Sequence, residues 1–238
     1  MRKTVLFDLD GTLLPINTDE FLRHYMKALA AHAGHLVPPQ ALVEQVMAST
    51  YAMIRNVEPD KTNAEVFAAD FFPRVGRSAE ELMPVFDQFY REKFPALVSA
   101  IPGAPGLAKR VVQAVLDQGC EIVLATNPLF PRMAIEERMR WIGVEGLPWR
   151  LVTTYEEMHA CKPQPEYYRE ILAKIGREPG ECLMVGNDFE EDGVAAKVGL
   201  DVFFVTDFLI KRSDAPLPEG RFGTLAEFLD RVENGGLA

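Results

Sequence analysis

The sequence predicts an α/β protein, a parallel sheet with a helical domain inserted after its first strand. Short apolar runs rich in β-forming residues alternate with helical patterns from residue 107 onward, as in a parallel sheet covered on both faces. Each apolar run ends in a polar cluster, and ligands of such sheets sit at the carboxyl ends of the strands. Residues 18–98 break the alternation and carry helical patterns only.

The first run, Thr-Val-Leu-Phe at 4–7, stops at acids and Gly11 and reads as a buried strand feeding a loop. In the interrupting segment Phe21, Tyr25 and Leu29 step by four; Val43, Val46, Met47, Tyr51 and Ile54 share a face, as do Leu82, Val85, Phe86, Phe89 and Tyr90. Pro38-Pro39 and Pro102-Gly103 punctuate it, which gives a core of 1–17 and 99–238 around a helical domain of 18–98. Leu107, Val111, Ala114 and Val115 then mark a helix that Gly119 ends. Strands follow at 121–125, closed by Thr126-Asn127-Pro128, and at 151–154. A helix at 165–175 leads to a strand at 182–185, which runs into Gly186-Asn187-Asp188. A helix at 190–198, a strand at 201–205, a helix around Phe228 and Val232, and a loose tail from Asn234 complete the pattern.

Composition narrows the function. Of 238 residues, 48% are hydrophobic and 25% charged, as in soluble globular proteins, and no run spans a bilayer. A net charge of −10 repels nucleic acid, and an anionic substrate would need local positive charge such as a divalent cation. Cys120, Cys161 and Cys182 form no disulfide framework and no zinc spacing, which points to reduced thiols and a cytoplasmic setting. Lys162 beside Cys161 could lower a thiol pKa, although a packed cysteine is the simpler reading.

Four clusters carry chemistry. In Phe7-Asp8-Leu9-Asp10-Gly11-Thr12 two carboxylates at i and i+2 project to one side of an extended chain, and Gly11 allows a sharp turn. One such carboxylate can attack phosphorus while the other donates and accepts protons; in isolation the same motif also serves as a turn or cap. Thr126-Asn127 offers a hydroxyl and a following backbone N–H to a phosphoryl oxygen, or is simply an Asn-Pro turn. Lys162, held extended by Pro163, could offset developing negative charge. Gly186-Asn187-Asp188-Phe189-Glu190-Glu191-Asp192 is an acid-rich strand end whose oxygens suit Mg²⁺, with Asp188 as ligand and Asp192 one turn on to orient it. All four fall at strand ends, where they can converge into one site.

With these four clusters in this order, the chain resembles the haloacid dehalogenase-like hydrolases over residues 4–12 and about 100–206. The resemblance implies a Rossmann-like core with a helical cap at 18–98, and a phosphatase acting on a small phosphorylated metabolite. It implies Asp8 as nucleophile and Asp10 as general acid/base, with Thr126, Asn127 and Lys162 around the phosphoryl group. Mg²⁺ would be held by the Asp8 carboxylate, the Asp10 carbonyl and Asp188. One departure concerns the fourth motif, which usually begins Gly-Asp; here Asn187 stands between Gly186 and Asp188, and Glu191 becomes a further possible contributor. A phosphomutase would share every motif. A haloacid dehalogenase would not need Asp10, a phosphonate-cleaving enzyme would need a desolvated cap lysine from among Lys27, Lys61 and Lys93, and a non-catalytic binding protein would be expected to lack the first-motif acids. His24, Arg55 and Lys61 are the polar cap residues that could face a ligand, and the cap aromatics suit a helical core.

Overall fold

The computed structural model describes residues 3–100, 106–216 and 221–237. Among the described residues six parallel strands form one sheet: β1 (Thr4–Phe7), β2 (Glu121–Leu124), β3 (Trp149–Val152), β4 (Cys182–Gly186), β5 (Asp201–Val205) and β6 (Phe222–Gly223), in the order β3-β2-β1-β4-β5-β6. The fold is therefore the α/β Rossmann-like sheet expected. Phe7 pairs with Leu124 on one side and Val185 on the other, so the carboxyl ends of β1, β2 and β4 lie level. The Ala125 N–H donates to the Phe7 carbonyl at 2.7 Å and the Asp8 N–H to the Val185 carbonyl at 2.9 Å, which carries that alignment past the strand ends. The chain moves outward from β1 through β2 to β3 and then returns to β4 on the other side. This reversal opens a crevice at the end of β1.

Side-chain alternation divides the sheet into two layers. Val5, Phe7, Leu124 and Val185 face α5 (Gly106–Asp117), α6 (Arg132–Trp141) and α8 (Leu225–Glu233). Leu6, Val123, Met184 and Phe204 face α7 (Pro165–Ile175) and a 3-10 helix, Gly193–Val198.

Between β1 and β2 stand α1 (Thr18–Ala33), α2 (Pro39–Ile54), α3 (Asn63–Val75), α4 (Ala79–Glu92) and a 3-10 helix, Phe94–Ala100. Side chains set their starts: Asn17 accepts from the Glu20 N–H, and Thr62 with Glu65 and Ser78 with Glu81 form reciprocal capping boxes. The insertion packs on the sheet side through aromatic contacts. Phe94 stacks on Trp141 of α6 at 5.4 Å, and Tyr25 meets Phe130 edge-on at 5.2 Å. No helix among the described residues is long and apolar enough to cross a membrane.

Several local expectations change. The helix expected at 190–198 is a turn followed by 3-10 helix from Gly193, because Asp188 captures the N–H groups of Glu190 and Glu191. β3 ends at Val152, and Thr153 spends its hydroxyl on the Thr126 carbonyl at 2.7 Å. α6 was not expected, because its buried face holds Arg138 between Ile135 and Met139, which breaks the apolar pattern. The two-residue β6 is too short to leave a signal. On α2 the buried residues are Leu42, Val46, Ser49 and Met53, whereas Tyr51 is exposed. The tail is not loose at Leu237, which is buried in the core. Pro102-Gly103 lies outside the described residues.

Candidate active site

Asp8 leaves β1 directly into the crevice. Its carboxylate accepts from the Lys162 ammonium at 2.8 Å, and the same ammonium donates to Asp192 at 2.6 Å. Lys162 and Asp192 are buried, and Asp8 is 8% exposed. Burial pushes the Asp8 carboxyl up to about 8; Lys162 opposes the rise, while Asp192 and Asp10 add to it. Burial pulls the Lys162 ammonium down, but Asp192 and Asp8 more than reverse this and hold it well above the usual lysine range. Lys162 reaches this place from the loop before α7, across a cis peptide bond to Pro163.

Asp10 is held differently. Arg138 of α6, a fully buried guanidinium, pairs with its Oδ2. Arg138 Nε donates to the Ala134 carbonyl at 3.2 Å, and its guanidinium lies over the Phe130 ring at 4.5 Å. Asp10 Oδ1 and Arg138 Nη2 are buried without a hydrogen-bond partner. The carboxylate thus has one oxygen fixed by the arginine and the other without a protein partner. Sequence reasoning missed Arg138, and its signal was the single arginine within the apolar stripe of α6.

The peptide after β2 is clamped from below. The Thr126 carbonyl accepts from Thr153 Oγ1 at 2.7 Å and from the Tyr167 hydroxyl at 2.8 Å, and Thr126 is buried. Asn127 joins two loops: its Oδ1 accepts from the Lys162 N–H at 3.2 Å, and its Nδ2 donates to Glu191 at 3.0 Å. Thr126, Asn127 and Lys162 are therefore brought to one place. Glu191 faces Asn127, and burial raises its carboxyl above the ordinary range.

The loop after β4 closes the site. A Cβ on Gly186 would lie 2.1 Å from Asp192 Oδ2, so only glycine leaves room for the aspartate that holds Lys162. Asp192 Oδ2 also accepts the Asp188 N–H at 2.9 Å. Asp188 itself takes the N–H groups of Glu190 and Glu191 on Oδ1, and Arg212 lies against both its oxygens at 3.0 and 2.9 Å. Burial raises its carboxyl despite the Glu191 N–H and Arg212. Asn187 is linked to Asp8 through Thr12. Thr12 Oγ1 lies 3.1 Å from Asn187 Oδ1 and 3.4 Å from Asp8 Oδ2, and the Asn187 amide is fixed by the Phe208 carbonyl at 2.7 Å. Gly11, at φ +81°, makes this approach possible, since a Cβ there would meet Asn187 Nδ2 at 2.2 Å.

The donor set suits a hard divalent cation. Five carboxyl groups, Asp8, Asp10, Asp188, Glu191 and Asp192, outnumber the cations Lys162, Arg138 and Arg212. Among the described residues no three His, Cys, Asp or Glu side chains close on one point. Mg²⁺ needs only one or two carboxylates, with other oxygens and water completing its shell. The Asp8 carboxylate, the Asp10 carbonyl and an oxygen from Asp188 or Asn187 fit that demand.

Other candidates lie elsewhere. His24, Arg55 and Lys61 are exposed, as are Lys27 and Lys93, so none of these is a desolvated lysine or a buried ligand contact. Cys161 is fully buried, and burial raises its thiol pKa far above the ordinary value, with Glu191 and Glu170 adding to the rise; Lys162 does not activate it.

Comparison with known proteins is consistent with this geometry. The chain matches the haloacid dehalogenase-like hydrolase family over residues 2–199. It is 25% identical over 192 residues to the pyrophosphatase PpaX of Bacillus pumilus, spanning 79% of this chain and 76% of that protein. It is 27% identical over 192 residues to the N-acetylmuramic acid 6-phosphate phosphatase of Pseudomonas aeruginosa, spanning 79% and 75%. The solved L-2-haloacid dehalogenase of Xanthobacter autotrophicus shares the fold over the whole of both chains, with a TM-score of 0.60 at 15% identity.

Proposed function

The chain belongs to the haloacid dehalogenase-like hydrolases, and on that premise we propose that it is a Mg²⁺-dependent phosphatase of a small phosphorylated metabolite, acting through an aspartyl phosphate on Asp8. Asp8 Oδ attacks phosphorus as the bond from phosphorus to the ester oxygen breaks. Asp10, carrying a proton on the Oδ1 that Arg138 leaves unpaired, gives it to the departing oxygen, then takes one from the water that attacks the aspartyl phosphate. Inorganic phosphate leaves, and both carboxyls return to their starting states. Arg138 holds Asp10 in place for both transfers. Lys162, the Thr126 hydroxyl and the Asn127 N–H hold phosphoryl oxygens, with Asp192 orienting Lys162. Mg²⁺, held by the Asp8 carboxylate, the Asp10 carbonyl and Asp188, would neutralise charge on the phosphoryl group. The helices of 18–98 act as the cap over a core of 1–17 and 99–238.

The single observation that carries this reading is Asp8 at the end of the central strand, 2.8 Å from a buried lysine, with a second acid two residues on. The phosphatases among its relatives support the reaction class. The exposed Lys27, Lys61 and Lys93 weigh against Schiff-base phosphonate cleavage, and Asp10 with its arginine weighs against a dehalogenase. Three cysteines without disulfides accord with a cytoplasmic enzyme. Release of phosphate from a panel of esters, with Mg²⁺ and with EDTA, tests the proposal. Metal-dependent release supports it; chloride release from haloacids without ester hydrolysis would replace it.

A further inference from the structure

Under the helices of the insertion lies a cavity of about 600 Å³, the size of a site for a drug-sized ligand. Its wall is apolar, with Leu29, Met47, Phe67, Phe72, Met83 and Phe86 drawn from four helices. The face of α2 expected to pack in the core forms part of this wall, and Tyr51 and Met83, two large hydrophobic residues left exposed, stand on it. Methionine side chains adapt to irregular ligands.

Three wall residues connect the cavity to the acids of the site. Phe130 carries the guanidinium of Arg138, which pairs with Asp10. Glu191 bonds Asn127, which bonds the Lys162 backbone. Arg212 lies against Asp188. The cavity wall and the surroundings of the site thus share Phe130, Glu191 and Arg212.

Its charge is unfavourable for a polyanion. Glu65, Asp87 and Glu191 stand on the wall, and the one cation among the wall residues, Arg212, is engaged by Asp188 and Glu190. A second phosphate or a carboxylate would enter an apolar space without a free counter-charge. Resting on the phosphatase reading above, we propose that the substrate is a monophosphate ester whose leaving alcohol is a bulky apolar group, such as a fused ring system, with no further negative charge. The phosphoryl group sits at Asp8 and Lys162, and the apolar group occupies the cavity.

The test compares 2-(2-naphthyl)ethyl phosphate with ethyl phosphate and pyrophosphate on the full chain with Mg²⁺; the two esters have leaving alkoxides of similar basicity. Binding of the free alcohol, 2-(2-naphthyl)ethanol, to the Asp8→Asn protein is measured separately by equilibrium dialysis. The naphthyl ester should have a kcat/KM about two orders of magnitude above that of ethyl phosphate, as burial of a large aromatic group implies. The alcohol should bind saturably, and Ala68→Phe in the wall or Met83→Trp on it should reduce both the preference and the binding. Equal or better turnover of ethyl phosphate or pyrophosphate, or absence of alcohol binding, overturns the proposal, and in the first case the phosphatase reading stands. Hydrolysis of no ester defeats the phosphatase reading, and saturable alcohol binding would then still assign the cavity to an apolar ligand.

Discussion

Asp8 and Asp10 are two residues apart and live in different electrostatic surroundings. Asp8 shares a buried ammonium with Asp192, whereas Asp10 has a guanidinium to itself. Asp10→Asn should lower kcat by about 10² to 10⁴-fold while the fold persists, since it removes the acid/base and keeps the shape; steady-state kinetics with circular dichroism checks it. Arg138→Met should destabilise the protein by about 3 kcal/mol in urea unfolding, because it strips a carboxylate of its buried partner. The raised Asp8 pKa means the metal-free folded state binds that proton more tightly than the unfolded chain does. The stability Asp8 contributes therefore falls as pH climbs from its unfolded value towards about 8. In EDTA, the melting temperature of Asp8→Asn should gain on that of the parent over this range, and parallel curves would contradict the assignment. Cys161, buried with its thiol pKa raised, should resist iodoacetamide at mildly alkaline pH until the protein unfolds. The first-motif acids were legible because they share an α/β pattern with three other polar clusters at strand ends; alone, two acids and a glycine also make a turn or cap. Arg138 was not, since a lone arginine within a helix shows its partner only after folding.

At the scale of elements, the turn from Gly186 to Asp192 shows a second limit of sequence reading. Its acids were visible, but their partners follow from loop geometry. Asp188 caps its own turn and meets Arg212, Asp192 turns back to Lys162, and Asn187 reaches Thr12. Periodicity read the 3-10 helix there as a longer helix over 190–198, and the two-residue β6 fell below what it detects. Gly186→Ala should push Asp192 off Lys162, costing about 1 to 3 kcal/mol of stability and reducing kcat together. Loss of stability with full activity would show that Asp192 does not orient the lysine.

Over the whole molecule, the alternation of strands and helices was enough to place five of the six strands and the crevice, because a parallel sheet repeats one simple pattern. The helical insertion was legible as helices, but not as walls. On α2 a stripe of Val, Met and Tyr looks the same whether it faces a core or an empty cavity. On the proposed reading, substrate choice depends on that difference, whereas the chemistry depends on Asp8. The most direct test of the central claim is to acid-quench the enzyme during turnover of an aryl phosphate with Mg²⁺, reduce with borohydride and map the modified peptide. Conversion of Asp8 to homoserine is the predicted result. Phosphate release with every aspartate unmodified, or modification at another residue, would contradict a covalent route through Asp8.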